Sequence, residues 1–304
     1  MPTKNGAFKI FSLFGIDVYI HWSWFLAALY FIQYQTDTYT SHIWNVLEVL
    51  VLFSIVLTHE FGHQLACRQV GGQTHDIVLW PMGGVAYVSP PQRAGAQLWS
   101  IAAGPLVNVM LIPIFSIFVS LSSHLGWYDS HPDAYQFLHD IWWINTGLLI
   151  FNMMPVYPLD GGQILRSLLW FIFGRADSLM IACVIGFLGV VAFIFIAVWL
   201  KSLWLGFITA FILMNCWNGL KQARALRRVA KLPRRTGFAC PACKNAPPLG
   251  ELWRCGKCGG VFDTFVTMGV CPHCQTQYPA TQCLDCGTSH PIQEWSGSVP
   301  PLLN

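Results

Sequence analysis

The stretch LTHEFGHQLA, residues 57–66, lies in a long apolar run and places two histidines and a glutamate where a membrane helix would ordinarily be apolar. His59 and His63 are four residues apart, so on a helix both imidazoles lie on one face and can bind a single zinc ion. Glu60 is close enough to act as a base on water bound to that ion. The alternative is a histidine pair that only makes hydrogen bonds inside a helix bundle, which leaves Glu60 unexplained.

The composition of the whole chain places this stretch in a membrane. Of the 304 residues 54% are hydrophobic and only 10% are charged, whereas an ordinary soluble domain has about 25% charged residues. The 14 tryptophans suit side chains at membrane interfaces. The composition therefore predicts an integral, multi-pass membrane protein.

Six apolar runs have about the 20 residues that a membrane-spanning helix needs. They cover residues 18–35, 46–66, 97–121, 139–157, 179–199 and 202–217. The last two form a tight helical hairpin, and prolines at the end of the fourth should break or kink it. Lysine and arginine are absent from the loops 36–45 and 122–138, which predicts that both termini lie in the cytosol.

Residues 74–89, THDIVLWPMGGVAYVS, have a different pattern. Two β-rich runs flank Pro81, Gly83 and Gly84, which is typical of a β-hairpin. The segment is too short to span a bilayer as a helix. We expect it to enter the membrane from the cytosolic side, packed on protein that satisfies its backbone groups.

A zinc ion that activates water needs a third protein ligand. Asp160 follows the fourth span and is predicted on the same side of the membrane as His59 and His63. Its other interpretation is a helix N-cap beside Gly161 and Gly162, a position that aspartate favours. Capping and metal ligation are compatible, so the sequence predicts Asp160 as the third ligand.

Four motifs occur in the order HEFGH, PMGGVA, GPLVN and FNMMPVYPLDGG. Together they resemble the site-2 proteases, which are zinc-dependent intramembrane proteases, over roughly residues 10–220. The resemblance implies a mainly α-helical fold, a six-helix transmembrane bundle with a membrane-embedded β-hairpin. It also implies His59, His63 and Asp160 as ligands of a catalytic zinc ion and Glu60 as the catalytic base.

The resemblance assigns roles to further residues. Asn152 would contact the substrate or the developing oxyanion, although an amide that only stabilises the bundle is the alternative. Asn108 would contact substrate, or else join two helices near small residues. Gly83 and Gly84 lie in the hairpin that would bind an unwound substrate by β-augmentation.

Eight of the eleven cysteines form four CxxC pairs between residues 240 and 286. In the reducing cytosol, thiolates at this spacing bind metal rather than form disulfides. The simplest grouping is sequential, with one zinc ribbon from the first two pairs and one from the last two. The first set is Cys240, Cys243, Cys255 and Cys258, and the second is Cys271, Cys274, Cys283 and Cys286. Interleaved pairing and iron occupancy remain open.

These patterns divide the chain into four parts. They are a six-span core over 1–218, a basic juxtamembrane linker over 219–238, tandem zinc ribbons over 239–288 and a tail over 289–304. The seven basic residues of the linker could contact phosphates of a nucleic acid. The favoured interpretation is attraction to anionic lipid, with no nucleic-acid partner.

The leading hypothesis is an intramembrane zinc endopeptidase that cuts transmembrane substrate proteins near the cytosolic face, as in regulated intramembrane proteolysis. It would hold one catalytic and two structural zinc ions. The alternative is a non-catalytic, membrane-anchored zinc-ribbon adaptor that binds transmembrane helices, but a chain without activity has no reason to keep Glu60. A zinc transporter would need acidic or histidine residues across the bundle, and spans one, five and six lack them apart from His21.

Overall fold

The computed structural model describes residues 6–34, 38–81 and 83–296. Within these residues the chain forms a helical core, a four-stranded sheet against that core and a small cysteine-rich module. Residue 35 of the first predicted span and residues 297–304 of the predicted tail lie outside the described residues.

The sheet contains the strands β1 (Ala7–Leu13), β2 (Ile16–His21), β3 (Gln73–Trp80) and β4 (Gly83–Ser89), in that order across the sheet. Strands β3 and β4 pair antiparallel, which confirms the predicted hairpin. Strand β2 pairs parallel to β3, so residues 18–21 of the predicted first span are strand rather than helix, and the prediction is wrong there. The reason is burial: Ile16, Val18 and Ile20 alternate inward and pack with Phe61 of the helical core.

Seven helices form the core within the described residues. They are α1 (Ser23–Tyr34), α2 (His42–Gln69), α3 (Ala94–His124), α4 (Trp127–Ser130), α5 (Pro132–Met153), α6 (Asp160–Trp199) and α7 (Leu203–Ala230). Among the described residues, α2, α3, α6 and α7 are long and apolar enough to cross a membrane. Helix α1 has 12 residues, and a helix of that length reaches only about 18 Å.

Helix α6 differs most from its prediction. The predicted spans 139–157 and 179–199 leave residues 158–178 as a loop, whereas α6 begins at Asp160 and continues to Trp199. The helix is broken at Gly174, whose φ of 77° and ψ of 174° are accessible to glycine because it has no Cβ. Helices α6 and α7 then form the predicted hairpin and bury a shared apolar cluster with the segment after α5.

The cysteine module, residues 239–296, has two short antiparallel hairpins and one helical turn. They are β5 (Trp253–Arg254) with β6 (Val261–Phe262), β7 (Thr281–Gln282) with β8 (Ser289–His290), and α8 (Ile292–Ser296). Trp295 is completely buried, and its ring centroid lies 4.9 Å from that of Phe265. Residues 289–296 therefore belong to the module rather than to a separate tail.

Candidate metal centres

Helix α2 carries the first three polar residues into the core. Its N-cap is Ser41, whose hydroxyl accepts from the Ile43 amide, and its apolar sequence continues for several turns before His59. His59, Glu60 and His63 are all at least nine-tenths buried. The two imidazoles lie with their Nε2 atoms 3.1 Å apart, as the i, i+4 spacing predicts.

Asp160, the first residue of α6, meets this pair. Its Oδ2 lies 3.1 Å from His59 Nε2 and 3.4 Å from His63 Nε2. The chain reaches this position because α5 ends at Met153 and the proline-containing segment 154–159 turns back before α6 begins. The structure thus brings together the three residues that the sequence proposed as ligands.

The donor set and its spacing fit a zinc ion. Zinc bonds to nitrogen or oxygen are about 2.0–2.2 Å long, so ligand atoms at tetrahedral angles lie roughly 3.3 Å apart. The three separations among His59, His63 and Asp160 are 3.1, 3.1 and 3.4 Å. Three protein ligands leave a fourth position for water, as in catalytic zinc sites.

Glycines let the backbone come close to these side chains. A Cβ at Gly104 of α3 would lie 2.3 Å from His63 Nε2 and 2.8 Å from His59 Nε2. A Cβ at Gly84 of β4 would lie 2.3 Å from Glu60 Cγ and 2.7 Å from Glu60 Oε1. Both positions exclude any larger side chain, so α3 packs on the imidazoles and the hairpin packs on Glu60.

The outer ring nitrogens of both histidines have hydrogen-bond partners. His63 Nδ1 lies 2.9 Å from the Ser100 carbonyl, and His59 Nδ1 lies 2.5 Å from Asn108 Oδ1. Such partners orient metal-binding imidazoles and set which nitrogen is protonated. The structure therefore places Asn108 behind a candidate ligand, between the helices, rather than in an open position for substrate.

Two further residues bear on the site. Asn145 of α5, completely buried, exchanges hydrogen bonds with Asn108; sequence reasoning missed it, although an amide in the apolar run WWINTGLLIF was the available signal. Asn152, in the last turn of α5, is half-buried and has no hydrogen-bond partner within the described part of the chain. Gly83 begins β4 beside Gly84.

The eight module cysteines group differently from the sequential prediction, which is wrong. One cluster joins the first and last pairs, and the other joins the two middle pairs. The outer cluster is Cys240, Cys243, Cys283 and Cys286, and the inner cluster is Cys255, Cys258, Cys271 and Cys274. The physical reason is that β5–β6 turns the chain back on itself, so each middle pair faces the other.

The sulfur separations fit tetrahedral metal sites. Zinc–sulfur bonds of about 2.3 Å place thiolates roughly 3.8 Å apart, whereas a disulfide needs about 2.05 Å. Four Sγ–Sγ pairs, two in each cluster, are 3.5 to 3.8 Å apart. Hydrogen bonding by the Tyr278 hydroxyl lowers the pKa of Cys255 to about 5, which favours the thiolate that binds metal.

The outer cluster contacts the helical core. Within its last CxxC pair, the Asp285 carbonyl accepts from Arg175 Nη1 of α6 at 2.7 Å. The Asp285 carboxylate accepts two hydrogen bonds from Arg234, at 2.7 and 3.2 Å. A Cβ at Gly287 would lie 3.2 Å from Gln92, in the loop after β4. The cysteine module is thereby held against α6 and the end of the sheet.

A fold of apolar helices around a buried histidine–aspartate cluster defines the class as integral membrane proteins with a metal-binding core. Residues 22–127 match the Peptidase M50B-like family and residues 130–197 match Peptidase family M50. Together these matches cover more than half of the chain. The chain belongs to peptidase family M50, the site-2 protease family.

Named relatives agree with this assignment. A zinc metalloprotease of Methanocaldococcus jannaschii is 33% identical over 182 residues, which are 60% of this chain and 51% of that protein. A putative zinc metalloprotease of Synechocystis is 30% identical over 243 residues, 72% of this chain and 61% of that protein. The chain thus spans between half and two-thirds of the length of these relatives.

A solved structure is similar over the same region. The site-2 protease from Methanocaldococcus jannaschii matches with a TM-score of 0.54 and 25% identity, over 70% of this chain and 95% of that one. Both family matches end before α7, so the cysteine module lies beyond them.

Proposed function

We propose that this protein is a zinc endopeptidase that hydrolyses peptide bonds of membrane-anchored proteins close to the cytosolic face of the membrane. One observation carries the proposal: His59, His63 and Asp160 converge at zinc-ligand spacing beside Glu60, inside helices that suit a membrane. Ionisable groups inside a membrane are costly, so a buried metal site of this kind indicates a function. Three protein ligands with a fourth position for water are typical of zinc sites that activate water.

His59, His63 and Asp160 would hold the ion. When bound, zinc lowers the pKa of its water towards about 7 and polarises the scissile carbonyl. Glu60, with its side chain against Gly84, would take the proton of the attacking water and deliver it to the leaving amine. Asn152 would donate a hydrogen bond to the oxyanion, a role supported by its lack of a partner among the described residues.

The sheet offers a binding edge for the substrate. Strand β4 is the last strand of the described sheet, and it starts at Gly83 and Gly84 beside Glu60. A transmembrane helix satisfies its own backbone and has to unwind before hydrolysis. An extended segment paired with β4 would regain backbone hydrogen bonds within reach of the catalytic base.

An apolar cavity adjoins the same edge. It has a volume of about 200 Å³ and lies between α1, α2 and the turn of the β3–β4 hairpin. Trp24, Phe53, Trp80 and Gly83 are among its lining residues. We propose that it takes apolar side chains of the substrate, because a membrane-derived segment consists mainly of such side chains.

We propose that the cysteine module lies in the cytosol and that the loops without Lys or Arg lie on the opposite side of the membrane. Charge asymmetry supports it, since Lys and Arg are absent from residues 36–45 and 122–138. Each cysteine cluster would bind one structural zinc ion, which gives three zinc ions per chain with the membrane site.

The test pairs zinc analysis with cleavage by protein reconstituted in liposomes. The probe is a set of single-span model proteins whose membrane helix is interrupted by Gly-Pro. Glu60→Gln should abolish cleavage and retain three zinc ions, because the amide cannot accept a proton but no ligand is removed. His59→Ala should abolish cleavage and remove one zinc ion.

Glu48→Gln is the matched control. Glu48 lies in the same helix, buried, about 18 Å before Glu60 at about 1.5 Å per residue, and accepts a hydrogen bond from Tyr39 that glutamine can also accept. The Glu48→Gln variant should cleave the model proteins at the wild-type rate. Cleavage by Glu60→Gln at the rate of an active wild-type protein would refute Glu60 as the base, whereas absence of cleavage by the zinc-loaded wild-type protein would favour the adaptor.

A further inference from the structure

Zinc binding by His59 depends on where the imidazole carries its proton. Nε2 faces Asp160 and His63, so Nε2 can bind a metal only if the proton of the neutral ring is on Nδ1. The partner of Nδ1 is the side chain of Asn108. An asparagine amide can present either an acceptor or a donor, and by itself it does not select the tautomer.

Asn145 removes this ambiguity. Its Nδ2 donates to the Asn108 backbone carbonyl at 3.0 Å, and its Oδ1 accepts from Asn108 Nδ2 at 2.8 Å. A backbone carbonyl can only accept, so the Asn145 amide has one satisfied orientation. Asn108 must then turn its NH₂ group towards Asn145 and its Oδ1 towards His59.

This series of hydrogen bonds therefore favours one tautomer of His59. Asn108 Oδ1 accepts from His59 Nδ1, and the lone pair of Nε2 points at Asp160 and His63. His59, Asn108 and Asn145 are between 0 and 3% exposed, so bulk water does not compete for these groups. The opposite orientation would leave two buried groups without partners, at a cost of about 1–3 kcal/mol each.

His63, unlike His59, does not need a second side chain to fix its tautomer. Its Nδ1 faces the Ser100 backbone carbonyl at 2.9 Å. That carbonyl is an acceptor in every state, so it selects the Nδ1–H tautomer without a further residue. His59 has a side-chain amide in the same place and needs a second amide to orient it.

We propose that Asn145 is a positioning residue for the membrane-site zinc, acting through Asn108 to hold His59 in its metal-binding tautomer. The inference rests on the proposed function only in taking His59 as a zinc ligand. It assigns no contact between Asn145 and substrate, and it predicts an effect on zinc affinity that is independent of cleavage.

The experiment uses the full chain in detergent and measures zinc affinity by competition with a chelator. The membrane site is the fraction of zinc that His59→Ala removes. Asn145→Ala should weaken its affinity about tenfold or more, as loss of outer-shell partners does. Asn145→Leu, which fills the volume of the amide, should weaken it equally if the cause is hydrogen bonding.

A second background separates orientation from general packing. In Asn108→Asp, the carboxylate at position 108 offers only acceptors to His59, so the tautomer no longer depends on Asn145. Asn145→Ala in this background should change zinc affinity less than twofold. The melting temperature of the helical core, measured on the zinc-free full chain, reports any loss of packing. Asn145→Ala should lower this temperature by the same amount in both backgrounds.

Two results would overturn the proposal. One is an equal loss of zinc affinity on Asn145→Ala in both backgrounds, which would mean a packing role. The other is unchanged affinity in the otherwise wild-type chain. Failure of the zinc site itself would appear differently, as a zinc content that His59→Ala does not lower.

Discussion

The chain contains two kinds of candidate metal centre that relate to the fold in opposite ways. The membrane site takes ligands from helices that pack without it, and His59 and Asp160 are 101 residues apart in sequence. In the cysteine module, buried clusters consist largely of the ligands themselves, joined by Phe265, Trp295 and a few neighbours. We therefore expect the packing of the helical core to form its metal site, and the folding of the cysteine module to depend on bound metal.

The largest expected effect follows from this contrast. Removal of all zinc by a strong chelator should unfold the cysteine module, since structural zinc supplies about 10–16 kcal/mol to such small units. Amide hydrogen exchange should rise throughout residues 239–296 and stay low in α2, α3 and α6. His59→Ala serves as the control and should leave exchange in the module unchanged. Faster amide hydrogen exchange in α2, α3 and α6 after chelation would contradict the expectation that the helical core packs independently of zinc.

A smaller effect is expected from Gly104→Ala, which tests whether the helical core alone shapes the membrane site. The added methyl group would sit 2.3 Å from His63 Nε2, so α3 or the imidazoles must move. One zinc ion and the cleavage activity should be lost, with the cysteine-bound zinc retained. Gly147→Ala in α5, where a Cβ meets nothing within 4 Å, should behave as wild type. Retention of three zinc ions by Gly104→Ala would contradict this prediction, because it would show that α3 or the imidazoles can shift without loss of the membrane site.

The smallest of the three effects is expected from Gly84→Ala, which separates metal binding from catalysis. Its methyl group would lie 2.3 Å from Glu60 Cγ, and the three nearest atoms all belong to Glu60. Displacement of the base or the hairpin by about 1 Å should lower kcat by about 100-fold, with zinc content unchanged. Gly147→Ala again provides the control. Loss of zinc from Gly84→Ala would show that the hairpin supports the metal site as well.

Much of the membrane site could be predicted because its signals are local. The HExxH spacing places two imidazoles on one helix face, and the prolines before Asp160 indicate a chain that turns back. The orienting residue Asn145 gave a weaker signal, because a single amide in an apolar helix has many uses. Its partner, the Asn108 backbone carbonyl, is a contact that no side-chain pattern encodes.

The wrong predictions have separate physical causes. The first predicted span begins at residue 18, although the alternation of Ile16, Val18 and Ile20 is typical of a strand. Arg166 and Arg175 fall between the predicted spans 139–157 and 179–199, yet both lie within α6. The cysteine pairs were grouped by proximity along the chain, whereas the module folds with its ends together.

The nested cysteine arrangement also sets an order of assembly. In the inner cluster Cys258 and Cys271 are 13 positions apart in sequence, and in the outer cluster Cys243 and Cys283 are 40 positions apart. Closing the longer loop costs about 1 kcal/mol more in chain entropy, unless the inner cluster has already shortened it. Within the module, Cys240 and Cys243 are synthesised first, and their cluster is incomplete until Cys283 and Cys286 follow. The contact of Asp285 with Arg175 lies in that same last pair, so the outer cluster and the attachment to the membrane core depend on the same final residues.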